Sequence, residues 1–353
     1  MVAINSQEIE PLINRFELPI GELSELNEDS SGMLLALVVF VVSVLSSSDY
    51  LVTALDIFQS AIVGIILASI LLIVTIARAT FKNAFGYFCV SQILADLILL
   101  ILFASCIPAE IMWPQSINDL VLLYVGWWSL SLQFISHYAC LLMSLNRFCA
   151  VFFPLRYNHL FTNEKARTFV VISWFLGFGQ CSIYLIDGCN FSFSGETLHF
   201  SFQSTVCGFY VSVIQEIIYN FSLAFFVILL DLMALLKLKF IYNEAQRNGR
   251  KGAMDIYAKE FRQFAQAIAS AVIYVVMQMC FHIGSRITND KLIRFFLTAY
   301  AWELYLVFSQ IATIAIYKVL RDITEQIHLC FLQKKRGVER NETIAVEIPE
   351  NFI

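Results

Sequence analysis

Leu141-Leu-Met-Ser-Leu-Asn-Arg-Phe-Cys-Ala-Val-Phe-Phe-Pro-Leu-Arg-Tyr157 closes a run, Leu120 to Asn146, that contains no Asp, Glu, Lys or Arg. At about 1.5 Å per residue such a run spans a hydrocarbon core of about 30 Å with room to tilt. Charge returns at once with Arg147, and Pro154 and Arg156 follow within ten residues. The ordinary account of a lone Arg at such an exit is a side chain snorkelling to the interface. Here it is followed by an aromatic and apolar turn ending in Pro154-Leu-Arg-Tyr157, which asks for more than snorkelling.

Working outward, composition sets the class. The 353 residues are 59% hydrophobic and only 14% charged, with mean hydropathy +0.72. A soluble domain of this length needs more charge to cover its surface. The nine Cys show no metal-ligand spacing. No glycine-rich phosphate loop, zinc-protease helix signature or nucleophile elbow occurs. No enzyme, metal, cofactor or nucleic-acid partner is therefore expected.

Residues 1–29 carry seven acids against Arg15 and read as a disordered tail. Residues 30–48 are apolar and reach Ser46-Ser47-Ser48, so they read either as an additional span or as a signal-like segment starting at Met33. Seven further spans follow: Ile57–Ala77, Ala84–Ala109, Leu120–Asn146, Thr168–Ile186, Phe209–Leu236, Gln263–Ser285 and Phe295–Tyr317. Lipid leaves no partner for unpaired backbone groups, so each must be a helix. The loops after the first, third and fifth spans, together with the C-terminal segment, hold 19 of the 23 Lys and Arg. That asymmetry places those segments inside and the N-terminus outside. The expectation is an all-α integral membrane protein, with a spanning domain over 55–320 and a cytoplasmic tail over 321–353.

The stretch Leu145-Asn-Arg-Phe-Cys-Ala-Val-Phe-Phe-Pro-Leu-Arg-Tyr157 resembles the inner end of the third helix of seven-helix G-protein-coupled receptors. There an Arg follows an acid, and the second inner loop carries a proline and a tyrosine. With Asn146 in the acid's place, and with Asn83-Ala-Phe-Gly-Tyr-Phe-Cys-Val-Ser-Gln92 opening the second span, the chain is most similar to nematode serpentine chemoreceptors of class X. The resemblance covers roughly residues 55–320. It implies a rhodopsin-like bundle in the plasma membrane, in sensory cilia, that binds a small-molecule or peptide cue and activates a heterotrimeric G protein. Arg147 is then the switch, with Pro154, Tyr157, Glu260 and Arg262 on the coupling face and Glu260 as the resting partner of Arg147.

Other residues take their roles from position. Asp96 in Leu94-Ala-Asp96 matches the second-helix Asp of rhodopsin-like receptors and must face the interior, since a carboxylate in hydrocarbon is costly. The seventh span has no Lys for a retinal Schiff base and no Asn-Pro pair before Tyr317. Ser129 stands where amine receptors carry Asp. Ligand contacts are expected in the outer halves of the third, fifth, sixth and seventh spans: Tyr124, Trp128, Ser129, Gln133, Gln215, Glu216, Gln278, Phe281, His282, Trp302 and Glu303. Glu303, ionisable and intramembrane, needs a partner or a ligand. Cys189 and Cys207 lie in the second outer loop, where a bridge can persist, and class X resemblance implies such a pair; Cys106 is the competing partner. Asn190-Phe-Ser192 is a glycosylation acceptor by sequence. Beyond Tyr317, Val319, Leu320, Ile323, Ile327 and Phe331 recur at helical spacing. They form an amphipathic helix on the membrane lipid, with Cys330 as a palmitoylation site. A transporter or channel is the rival class, but no internal repeat supports it.

Overall fold

A computed structural model describes residues 50–77, 82–247 and 253–316. The acidic segment, the apolar stretch 30–48, the amphipathic helix and Cys330 lie outside the described residues. The described residues from Ala54 to Ile316 belong to one compact unit. Seven of its helices are long and apolar enough to cross a membrane.

They are α1 (Tyr50–Ala77), α2 (Ala84–Met112), α3 (Asp119–Phe152), α5 (Asn163–Cys181), α6 (206–247), α7 (253–287) and α8 (291–316). Most run past the predicted spans because hydropathy registers only the lipid-crossing part, whereas caps mark the true ends. Asn83 accepts from the Gly86 amide at 3.0 Å and Asn118 from the Leu120 amide at 2.9 Å. Thr162, Thr205 and Asp290 start α5, α6 and α8 in the same way. The short helix α4, Pro154–Leu160, occupies the second inner loop, with Pro154 in its first turn, where the missing N–H costs nothing.

Three of the helices share an irregularity that no residue pattern announces. α6 is π-helical over Val211–Tyr219, α7 over Cys280–Gly284 and α8 over Phe296–Tyr300. None contains proline. The extra residue per turn rotates the helix face and commonly marks a functional site. Here it lies in the outer half of each helix and presents Glu216 and His282 to the interior, both buried.

The second outer loop forms the chain's sheet among the described residues: β1 (Phe191–Ser194) antiparallel to β2 (His199–Phe202), with Phe191 opposite Phe202 and Phe193 opposite Phe200. Phe191, Phe193 and Phe200 are buried. The hairpin lies within the bundle's outer end rather than over it. Cys189 and Cys207 are joined across its base, with Cα atoms 5.0 Å apart, and Cys106 is free. At the tip, the Glu196 side chain accepts from Gln115 at 2.6 Å and its carbonyl accepts from Lys291 at 3.1 Å.

Candidate functional site

At the inner end, α3 ends in a buried ion pair. The Arg147 guanidinium donates from Nε to Asp231 Oδ1 at 3.0 Å and from Nη2 to Asp231 Oδ2 at 2.9 Å. Ser144, one turn earlier, donates to Asp231 Oδ2 at 2.9 Å and accepts from Arg147 at 3.1 Å. Phe85 and Phe264 stack their ring faces 5.7 and 5.5 Å from the guanidinium carbon. Asp231 is fully buried and Arg147 is 8% exposed. Asn146 is occupied elsewhere, accepting from the Tyr157 hydroxyl at 2.9 Å. The expected partner of Arg147 was Glu260; the structure supplies Asp231, from the fifth span. Glu260 and Arg262 lie on α7, with side chains outside the described residues. The overlooked signal was an intramembrane acid at the depth of a lone intramembrane Arg, which calls for pairing. Above the pair, a cavity of about 70 Å³ runs up between α2, α3, α6, α7 and α8 to His137, Tyr274 and Tyr305.

The outer half is filled. Phe191 and Phe200 stack 5.2 Å apart, and Phe200 meets Phe103 at 5.7 Å and Trp302 at 5.5 Å. The strand approaches α3 so closely that a Cβ on Gly126 would sit 1.9 Å from the Phe191 carbonyl oxygen, and one on Gly195 would sit 2.2 Å from the Glu110 carbonyl. Beneath the hairpin remains a narrow cavity of about 20 Å³. Gln133, Glu216, Gln278, His282 and Trp302 line it with Leu130, Met277 and Phe281, under a roof of Phe191 and Phe202. Glu216 accepts from the Tyr184 hydroxyl at 2.5 Å and from Asn220 at 2.9 Å.

Six of the eleven residues expected to make ligand contacts thus meet in one place. The other five lie elsewhere. Tyr124 and Trp128 are 46% and 38% exposed and pack against Trp127 and Phe178 on the outer face of α3. Trp128 lies five residues from Gln133, which at about 100° per residue is about 140° around the helix. Ser129 is buried but not in the lining. Gln215 donates to the Gln180 carbonyl on α5 at 3.4 Å. Glu303, one residue past Trp302, faces α1, where Ser60 donates to it. Hydropathy finds the depth of a residue but not its rotation about the helix axis. Phe191 and Phe202 were missed because a loop hairpin carries no span signal.

The floor between the two cavities is one helical turn thick. Trp302 Nε1 donates to Gln133, and Gln278 donates to the Tyr274 hydroxyl. Gln133 and Gln278 line the outer cavity, whereas His137 and Tyr274, four residues away on the same helices, line the inner one. Tyr305, one turn beyond Trp302, packs on Tyr274 at 5.4 Å. Asp96 is buried beside this layer and accepts from Gln310 at 3.0 Å.

Comparison with known proteins agrees with this architecture. The family described as "Serpentine type 7TM GPCR chemoreceptor Srx" matches residues 58–317. The chain belongs to the class X serpentine receptors. It is similar to serpentine receptor class X-43 of Caenorhabditis elegans, 25% identical over 297 residues that cover 82% of this chain and 91% of that one. It is also similar to serpentine receptor class X 45 of the same organism, at 25% over 230 residues, 58% of this chain and 61% of that one. Adenosine receptor A2b of Gallus gallus is 31% identical over 102 residues, 29% of each chain. The protein is therefore a multi-pass membrane protein of a receptor family.

One expectation for the class X receptor meets an obstacle. The Asn190 side-chain amide donates to the carbonyls of Tyr184 at 2.9 Å and Ile186 at 3.3 Å, next to the Cys189 bridge. A glycan attaches at that nitrogen, so glycosylation requires this corner to open.

Proposed function

We propose that this class X receptor binds an external small-molecule or peptide cue in the cavity beneath the hairpin and activates a heterotrimeric G protein at the inner face around Arg147. It acts at the plasma membrane, in sensory cilia, with its N-terminus outside. The observation that carries this reading is the one-turn floor. A ligand that touches Gln278 touches the donor to the Tyr274 hydroxyl, and Tyr274 packs on Tyr305; both tyrosines line the inner cavity. The physical device is a shift between two populations: a ligand favours the form it binds more tightly, by no more than that difference in affinity. In the resting form Asp231 engages Arg147 and ties α3 to α6; in the active form that contact exchanges for the G protein.

The test expresses the receptor with a panel of volatile and water-soluble cues and reads G-protein activation. At least one cue should activate the receptor with Arg147 and fail with Arg147→Ala at equal surface level. Full signalling by the Arg147→Ala variant overturns the reading. Epitope tags at residue 50 and at the C-terminus, stained on intact cells, check orientation: staining of the C-terminal tag alone reverses it.

A further inference from the structure

The outer mouth of the bundle holds a second concavity, of about 1000 Å³ including its opening to solvent, between β2, the start of α6 and the outer ends of α7 and α8. Its charged side chains are Arg286 and Arg294, with His199 and His282 beside them, and no Asp or Glu lines it. The nearby acids are committed elsewhere. Asp290 caps α8 through the Leu292 and Ile293 amides at 2.9 and 3.0 Å, and Glu196 accepts from Gln115. Among the described residues the salt bridge found is Arg147–Asp231, so neither mouth Arg has an acidic partner. Arg294 donates one Nη2 bond to the Thr288 carbonyl at 2.8 Å, and its Nε is buried with no acceptor. Leaving such a donor unmet is unfavourable, so the site is incomplete as it stands.

The mouth adjoins the aromatic cavity. Phe202, Phe281 and His282 line both. A molecule reaching from one to the other meets cations at the outside and Phe281, Phe202 and Trp302 further in.

We infer that the receptor's ligand is an amphiphilic organic anion. Its carboxylate, sulfate or phosphate lies between Arg286 and Arg294, and its apolar or aromatic body lies against Phe202 and Phe281, the side chains that the mouth shares with the cavity beneath the hairpin. This rests on the receptor reading and narrows it. A planar guanidinium pairs with an oxyanion through two parallel bonds, which a neutral alcohol cannot reproduce and an ammonium opposes.

The experiment uses the full chain in lipid discs and three probes of one shape: 4-phenylbutyrate, 4-phenylbutanol and 4-phenylbutylammonium. Binding is read by tryptophan fluorescence and by thermal shift. The anion should bind about tenfold more tightly than the alcohol, the size of one charge-assisted hydrogen bond in a partly wet site, and the ammonium least. The double variant Arg286→Gln/Arg294→Gln should bind the alcohol as before and lose the preference. Arg286→Lys/Arg294→Lys should keep part of it, which controls for a folding defect. Equal affinity for anion and alcohol, a preference that survives the Gln variant, or failure of all three probes to bind overturns the inference. A second arm adds phosphatidylserine to phosphatidylcholine discs; suppression of phenylbutyrate binding there assigns the site to a lipid headgroup and overturns a soluble ligand. G-protein activation in the same discs is scored separately. Coupling without a charge preference removes the anion inference alone, whereas binding without coupling removes the receptor reading alone.

Discussion

The outer and inner halves of this bundle are held by different forces. In the outer half a hairpin from the second outer loop inserts Phe191, Phe193 and Phe200 among the helices and leaves a cavity of only about 20 Å³. In the inner half no loop enters among the described residues, a cavity of about 70 Å³ remains, and a buried ion pair ties α3 to α6. Packing fills the first, so its shape changes only when the hairpin moves. Electrostatics closes the second, so exchanging one partner of the pair reopens it. On the proposed reading, the bundle is tight where it discriminates a ligand and poised where it rearranges.

The largest expected effect is at the ion pair. Arg147→Ala leaves the Asp231 carboxylate buried with Ser144 as its remaining donor, a loss of about 3–5 kcal/mol. Asp231→Asn leaves the converse charge. The double variant Arg147→Ala/Asp231→Asn should regain most of the thermal stability in discs while coupling stays absent. If the two single losses simply add, the pair carries no coupling and the inner half of the comparison fails.

Next is the bridge. Cys189→Ser with Cys207→Ser releases a loop closed over 18 residues, worth about 3 kcal/mol in chain entropy. Ligand-dependent signalling should fall much further than basal signalling, because the change is confined to the outer half. Peptide mapping without reduction should find the two cysteines linked in surface-expressed native receptor; finding both as free thiols there removes the bridge. Equal loss of basal and stimulated signalling in the double Ser variant means the halves are not separable.

Gly126→Ala is a smaller push on the same hairpin. The new methyl meets the Phe191 carbonyl, and overpacking of this kind costs about 2 kcal/mol. Hydrogen exchange in β1 and β2 should rise while the segment around Arg147 stays protected. Unchanged exchange in the hairpin shows that it does not pack against α3 as described.

The smallest effect is a pH dependence. Burial holds His199 below its ordinary value; its bond to the Thr197 carbonyl opposes that shift, and the Arg294 charge reinforces it. A base depressed in the folded state contributes stability that is present above its unfolded value, about 6.5, and is lost as pH falls from there toward the folded value. Hairpin exchange should therefore rise modestly below about pH 6.5. His199→Gln should flatten that slope; an unchanged slope assigns it to another group.

Depth was legible in the sequence and rotation was not. Gln133, Glu216, Gln278, His282 and Trp302 were found because they lie in the outer halves of apolar spans. Tyr124, Trp128, Gln215 and Glu303 satisfy the same test and face elsewhere. The π-helical stretches of α6, α7 and α8 shift the helix face without proline to mark them. Hydropathy and charge are local quantities that a membrane itself reads, one span and one loop at a time. Span number, the charge asymmetry of the loops and the special character of Asn146–Tyr157 therefore follow from the sequence alone. Pairing of Arg147 with Asp231, 84 residues away, and insertion of the hairpin between helices were decided by the tertiary structure. Each depends on how helices rotate and pack around one interior, and no local window of the chain contains that information.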